Sequence, residues 1–138
     1  MNIQEAISEL RELDEPVPKP LRLPNEMDIT EAEKVVGMKF PEDYKKFQLG
    51  AGNVTYGSLE PATIVGTKDH TDIANVTRNA REMGVPTNVI PICEDNSDFY
   101  CLSTDGKVKF WSHDEGDFAE EEWDSLAEWI KEVWIGES

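Results

Sequence analysis

Residues that could do chemistry are concentrated between Glu94 and Phe118. The candidates for binding a partner are Asp95, Asp98, Trp111, His113, Asp114, Glu115 and Asp117. The residues from Trp111 onward leave the end of one predicted strand together, and the first two aspartates lie at the other end of the neighbouring strand. An aromatic ring flanked by carboxylates suits an interface with a basic partner, because the ring supplies desolvated area and the carboxylates accept charge-assisted hydrogen bonds. In the alternative, Trp111 packs under a terminal helix and His113 caps a turn, and the residues alone leave both open.

No arrangement of residues indicates catalysis. Ser112, His113 and Asp114 are adjacent, and neighbouring side chains on an extended chain point apart, so they do not form a triad. The other histidine, His70, is predicted to be a solvated loop residue. The common phosphate-binding and hydrolase motifs are absent from the sequence. We therefore predict no catalytic residues and no enzymatic activity.

Metal-binding patterns are equally weak. Cys93 and Cys101 do not share a zinc-type spacing with each other or with the histidines. Asp95-Asn96-Ser97-Asp98 resembles the start of a calcium loop, but glycine at its sixth position and glutamate at its twelfth are missing. The acids of residues 114–117 could hold a hard cation only weakly. A metal-dependent hydrolase using His113 is a third alternative, but we expect no metal and no cofactor.

The charge is strongly acidic and uneven along the chain. The 138 residues carry a net charge of −16, and residues 94–138 hold 14 acids and three bases. From His113 to Glu128 there are eight acids and no base. Such a surface repels nucleic acid and anionic membranes and attracts basic proteins. A well-solvated face that only maintains solubility explains the acids as well.

The size fits one domain covering residues 1–138. No apolar run is long enough to span a bilayer, and the start of the sequence, MNIQEAISEL, lacks the basic and apolar regions of a signal peptide. We expect a cytoplasmic protein that does not contact a membrane.

Local signals predict five helices. The first starts at the capping box of residues 2–5 and ends before Asp14, and a proline-rich extended connection covers residues 16–24. The others are predicted from the capping box Thr30–Glu33 to Gly37, from Pro41 to residues 50–53, from Asp69 or Thr71 to Met83, and from a capping box at Ser125.

Apolar runs predict an antiparallel sheet. Val89–Cys93 and Phe99–Leu102 are apolar on both faces, so both strands should be covered on both sides. A two-residue turn at Asp105-Gly106 should lead to a third strand, Lys107–Trp111, near an edge. Ala62–Val65 is a further short strand candidate. A tight connection over Glu94–Ser97 would place Cys101 opposite Ile90, too far from Cys93 for a disulfide, so both thiols should be free core residues. The elements together predict an α+β domain.

The order of these motifs resembles the SUKH superfamily, the Smi/Knr-like family. Thr30-Glu31-Ala32-Glu33, followed by Phe40-Pro41-Glu42-Asp43-Tyr44-Lys45-Lys46-Phe47, is similar to its "I-x-x-A-E … L-P-x-D-Y-x-x-F" signature. Residues 90–92, 98–102, 106–108 and 111–114 are similar to its strand block, and residues 126–130 to its "S-F-x-x-W-L" helix. The resemblance covers about residues 26–135, with residues 1–25 as an N-terminal helix and connection.

The resemblance implies an antiparallel sheet packed against helices, with no enzymatic activity. The family includes yeast cell-wall synthesis regulators and bacterial immunity proteins. It therefore implies an immunity protein that neutralises a basic toxin domain, such as a nuclease, through its acidic face. The alternative is a regulatory module that contacts an endogenous protein.

Overall fold

The computed structural model describes residues 1–18, 21–65 and 70–136. It is an α+β structure with helices near both termini, which confirms the predicted fold class. The helices of the described residues are α1 (Ile3–Leu13), α2 (Glu26–Val36), α3 (Glu42–Ala51), α4 (Ile73–Met83), α5 (Leu126–Trp129) and a π-helix (Ile130–Ile135) that continues α5. The strands are β1 (Val89–Asp95), β2 (Asp98–Ser103), β3 (Val108–Ser112) and β4 (Asp117–Trp123).

Local capping signals correctly locate several helix ends. The side chain of Asn2 accepts a hydrogen bond from the Glu5 N–H, and the Glu5 carboxylate accepts one from the Asn2 N–H. Ser125 caps α5 in the same way by accepting from the Glu128 N–H. Gly37 ends α2 with φ of 82°, a left-handed conformation that glycine adopts without steric cost.

The predicted start of the second helix at Thr30 is wrong. A capping box between Asn25 and Asp28 starts α2 more than one turn earlier. Thr30 lies inside the helix, where its hydroxyl donates to the carbonyl of Glu26. Glu33 does not cap the start of the helix. Its buried carboxylate accepts a 2.6 Å hydrogen bond from the Phe40 N–H beyond the C-terminal end of α2.

Ala62–Val65 does not form a regular strand. Only two isolated bridges occur there, Pro61 with Cys93 and Thr63 with Asp72. Helix α4 follows with Asp72 as its cap, close to the predicted start at Thr71. The other predicted start, Asp69, lies outside the described residues.

The sheet is antiparallel, and its strands lie in the order β1-β2-β3-β4. The prediction that Lys107–Trp111 lies near an edge is wrong, since β4 pairs with β3 on its outer side. Sequence reasoning missed β4 because its run of glutamates has low strand propensity and its partner strand provides the pairing.

The hairpin turns set a register that differs from the predicted one. Asn96 and Ser97 form a two-residue turn with φ of 51° and 74°, so the connection is shorter than residues 94–97. Together with an irregularity between Pro91 and Cys93, this places Cys101 opposite Pro91 rather than Ile90. Both cysteines are free and buried, as predicted.

The turn between β2 and β3 has three residues, so the predicted two-residue turn at Asp105-Gly106 is wrong. The Ser103 N–H bonds to the Lys107 carbonyl across the loop. Only Gly106 has a positive φ, of 90°, which is the pattern of a three-residue hairpin loop. The Asp105 carboxylate accepts from the Lys107 N–H at 3.0 Å and stabilises this form.

The core lies on both faces of the sheet, as predicted for the central strands. On one face Tyr100 contacts Trp129 of α5, with ring centroids 5.3 Å apart. On the other face Phe99 contacts Trp111, and α4 packs against β1. The helices therefore cover both faces of the central strands, while the turns at the ends of the sheet and the exposed residues of β4 remain accessible.

None of the helices in the described residues is long and apolar enough to cross a bilayer.

Candidate partner-binding site

Two hairpin turns meet at one end of the sheet. Because β2 and β3 are antiparallel and Phe99 pairs with Trp111, the start of β2 lies beside the end of β3. The β1–β2 turn therefore adjoins the β3–β4 turn, which runs from Ser112 to Asp117. We call this region the acidic end and define it as Asp95, Asp98, His113, Asp114, Glu115 and Asp117.

A hydrogen-bonded pair joins the two turns. Asp98 Oδ1 accepts a 2.9 Å bond from the His113 backbone N–H and lies 2.7 Å from His113 Nδ1. His113 Nε2 lies 3.3 Å from a carboxylate oxygen of Asp114. Sequence spacing alone did not indicate this contact, which depends on the β2–β3 register.

The carboxylates around His113 favour its protonated form. The hydrogen bond to Asp98 raises the pKa of His113, desolvation opposes part of the rise, and the charges of Asp114 and Asp98 add to it. The imidazole is thus biased toward a positive charge that neutralises part of the acidic end at low pH.

The remaining predicted carboxylates differ in exposure. Asp114 has 86% of its side chain exposed, and Glu115 and Asp117 are exposed as well. Asp95 and Asp98 are half-buried, and Asp98 is already bonded to His113. The β3–β4 turn therefore presents the most exposed carboxylates of the acidic end.

Trp111 does not belong to the accessible surface, which corrects its predicted role as an anchor. Only 2% of the residue is exposed. Its ring contacts Phe99, with centroids 6.3 Å apart, and Cζ2 lies 3.6 Å from the position that a Cβ on Gly84 would occupy. Trp111 thus packs in the core beside Gly84, at the C-terminal end of α4.

Glu60 and His70 extend this charged region beyond the predicted residues. His70 Nε2 is hydrogen-bonded to the Glu60 carboxylate, and both side chains line a shallow depression of about 350 Å³ together with Glu94 and Asp95. His70 is exposed, as expected of a loop residue, but sequence spacing did not link it with the β1–β2 turn. Both histidines of the chain thus lie beside carboxylates of this end.

The acids of β4 form a second group that was not predicted as a site. Glu120, Glu121 and Glu122 are exposed along this strand. Glu122 pairs with Lys107 at 3.3 Å, and Lys109 lies over the ring of Phe118. In the sequence, Gly116 indicates the turn before β4. The strand itself could be recognised only from its pairing with β3.

Neither a cluster of metal ligands nor an ionised thiol occurs among the described residues. In residues 1–18, 21–65 and 70–136, no three His, Cys, Asp or Glu side chains are placed to hold a metal ion. Burial raises the pKa of Cys101 to about 12 and that of Cys93 as well, so both remain thiols at neutral pH.

A cavity of about 460 Å³ lies between the proline-rich connection and the segment after α3. Much of its lining is apolar, with Val17, Leu21, Val54 and Leu59 among the contributors. It shares only Leu59 and Glu60 with the depression beside the β1–β2 turn, so it is a separate feature from the acidic end.

The chain is similar to a known protein family and to a solved structure. The family model described as SMI1-KNR4 cell-wall, SUKH_5, matches residues 3–135. A solved structure, described as "Crystal structure of protein from Pseudomonas syringae pv. tomato", is 41% identical with a TM-score of 0.89 and covers 96% of this chain and 98% of its own. Among curated proteins none matches the sequence.

Proposed function

The chain belongs to the SMI1-KNR4 cell-wall family, and we propose that it is a non-enzymatic cytoplasmic protein whose acidic end binds a basic protein. We further propose that this partner is a toxin domain that the chain neutralises as an immunity protein. The observation that carries the proposal is the meeting of the β1–β2 and β3–β4 turns, whose acidic side chains come from three strands.

Electrostatics favours a basic partner over other classes. Residues 94–98 and 112–117 contain six acids and no lysine or arginine. Carboxylates at the exposed β3–β4 turn accelerate encounters with a cationic surface and repel phosphate backbones. A nuclease that binds DNA or RNA through a basic groove presents the surface that such a turn would occlude.

Neutralisation needs only occlusion, which a rigid turn can provide. His113 and Asp98 bond the two turns together, so the backbone that carries the exposed carboxylates loses little conformational freedom on binding. A stable complex nevertheless buries about 800 Å² on each partner, more than two turns supply. Surface beside the acidic end must contribute, and Trp111 is too buried to do so.

Co-expression tests this proposal directly. The chain is produced together with the product of each neighbouring gene, and survival and co-purification are both measured. We expect one neighbour to be toxic alone, to be tolerated in the presence of the chain and to elute with it in a salt-sensitive complex. Tolerance without a complex would contradict binding as the mechanism. If no neighbour is toxic but an endogenous protein co-purifies, the role as an immunity protein is refuted in favour of a regulatory module.

A further inference from the structure

The outer edge of β4 is an open side of the sheet. We propose that an extended, lysine- or arginine-rich segment of the partner docks there as an additional antiparallel or parallel strand. This inference rests on the proposed function in requiring a basic partner, but it names a different surface and a different mode of recognition. Recognition by strand addition combines main-chain hydrogen bonds with side-chain contacts at alternate positions.

The two edges of the sheet differ in how they are covered. At β1 the segment before α4 closes the edge, since Pro61 bridges Cys93 and the Ala62 N–H donates to the Ile92 carbonyl at 2.7 Å. At β4, among the residues that the structure describes, only β3 pairs with the strand. Strand β4 therefore has an outer row of backbone groups available for pairing.

Charge selects the kind of strand that fits. Of the seven residues of β4, Asp117 and three glutamates are exposed, and the strand has no base. Glu122 is paired with Lys107. Glu120 and Glu121 have no ion-pair partner in the described part of the chain, so an incoming lysine or arginine would meet free carboxylates.

A second copy of the chain fits this edge poorly. Pairing β4 with β4 would place glutamates opposite or diagonal to glutamates, and like charges on adjacent strands are destabilising. The register also shifts between Lys109 and Trp111, where Phe110 faces residues 119–121 of β4. Such an irregularity, with edge charges, discourages pairing between identical strands but does not repel a cationic one.

Apolar residues at the two ends of β4 add contact area. Phe118 and Trp123 are both half-buried. The Phe118 ring lies below Lys109, 5.9 Å from Nζ, and Trp123 contacts Tyr100 with centroids 5.7 Å apart. The two rings lie on opposite faces of the sheet, since Phe118 pairs with Trp111 and Trp123 pairs with Val108. A partner segment of about seven residues that alternates basic with apolar side chains would therefore place its apolar residues against one of the two rings.

Synthetic peptides test strand addition without a known partner. The probe is a seven-residue peptide of alternating lysine and valine, and the control is the same peptide N-methylated at its three central residues, which removes donors from both of its edges. We expect the probe to shift the backbone amide resonances of residues 118–123 in the full chain and to bind at least tenfold more tightly than the control. Equal binding of both peptides, or shifts confined to the acidic end, would overturn the proposal.

Matched variants distinguish binding at the edge of β4 from attraction to the overall negative charge of the chain. Glu120→Gln with Glu121→Gln should weaken binding of the probe about tenfold, whereas Glu12→Gln with Glu82→Gln removes the same charge from exposed helix positions and should leave it unchanged. A contrary result is that the partner from co-expression binds both double variants equally and loses affinity only for variants of the acidic end. That result would refute strand addition and leave the proposed function standing. Self-association of the unmodified chain through β4 would also refute it.

Discussion

The burial of Trp111 predicts a stability defect rather than a binding defect. With 2% exposure, the residue removes nearly all of its side-chain surface from water. A tryptophan buries about 200 Å², which corresponds to about 5 kcal/mol at about 25 cal/mol per Å², and measured Trp→Ala costs are about 3–5 kcal/mol. We therefore expect Trp111→Ala to lower the free energy of unfolding by about 4 kcal/mol, a large fraction of a typical domain's stability.

Urea denaturation followed by far-UV circular dichroism measures this change. Trp111→Phe is the companion variant, because it keeps an aromatic ring against Phe99 and should fold even if Trp111→Ala does not. We expect an intermediate loss of about 1–2 kcal/mol, since a smaller ring leaves part of the space unfilled. The folded Trp111→Phe protein should bind a partner as tightly as the unmodified chain.

A loss of binding without a loss of stability would refute a core position for Trp111. If Trp111→Ala left the unfolding midpoint unchanged but abolished binding, the ring would be a surface anchor and its position against α4 would be wrong. Loss of stability with binding retained in the folded fraction would confirm a core role.

Three further predictions follow from buried or bonded groups. Glu33→Ala should lower the free energy of unfolding by about 1–3 kcal/mol in urea denaturation because the buried N–H of Phe40 loses its acceptor, while Glu33→Gln, which keeps an acceptor, should cost less. Cys101, whose pKa burial raises to about 12, should not react with a thiol reagent at pH 8 until the protein unfolds, and rapid reaction in the folded state would contradict its burial. An NMR titration should give His113 a pKa above its ordinary 6.5, and Asp98→Asn should lower it. Since the folded pKa is the higher one, the stabilisation by protonated His113 is complete below about pH 6.5 and disappears as the pH rises through the folded value; a pKa unaffected by Asp98→Asn would contradict the contact.

Helix ends were predictable where the capping groups are close in sequence. Asn2 with Glu5, Gly37 and Ser125 each act within one turn of their helix, so their types are sufficient. Thr30 shows the limit of this reasoning, because it has the right pattern but lies inside α2. The competing cap at Asn25 starts the helix first.

Non-local pairing explains most of what sequence reasoning missed. Strand β4 consists largely of residues with low strand propensity, and β3 holds it in place. Tryptophan is a residue type common among interface anchors, but whether α4 covers Trp111 depends on tertiary packing. Local patterns carry no information on such contacts.

The acidic end was predictable in composition but not in geometry. Each of its residues was identified from its type and its position after a strand. The bond between His113 and Asp98 depends on how β2 pairs with β3. The predicted two-residue turn at Asp105-Gly106 would have placed Asp98 opposite His113, whereas in the observed register Phe99 pairs with Trp111 and the Asp98 side chain reaches across to His113. Residue types alone did not distinguish such a bonded pair from separate surface groups.

Binding of a basic partner by the acidic end can be tested by one affinity measurement. The partner identified by co-expression is titrated against Asp114→Asn, Glu115→Gln, Asp117→Asn in one triple variant, with Glu12→Gln, Glu42→Gln, Glu82→Gln as the control of equal charge on the helices. Because the triple variant loses three exposed charge pairs with the partner, we expect its Kd to be about tenfold higher, whereas the Kd of the control should change little. The difference between the two should shrink at high salt. Equal affinities for both variants would contradict the account.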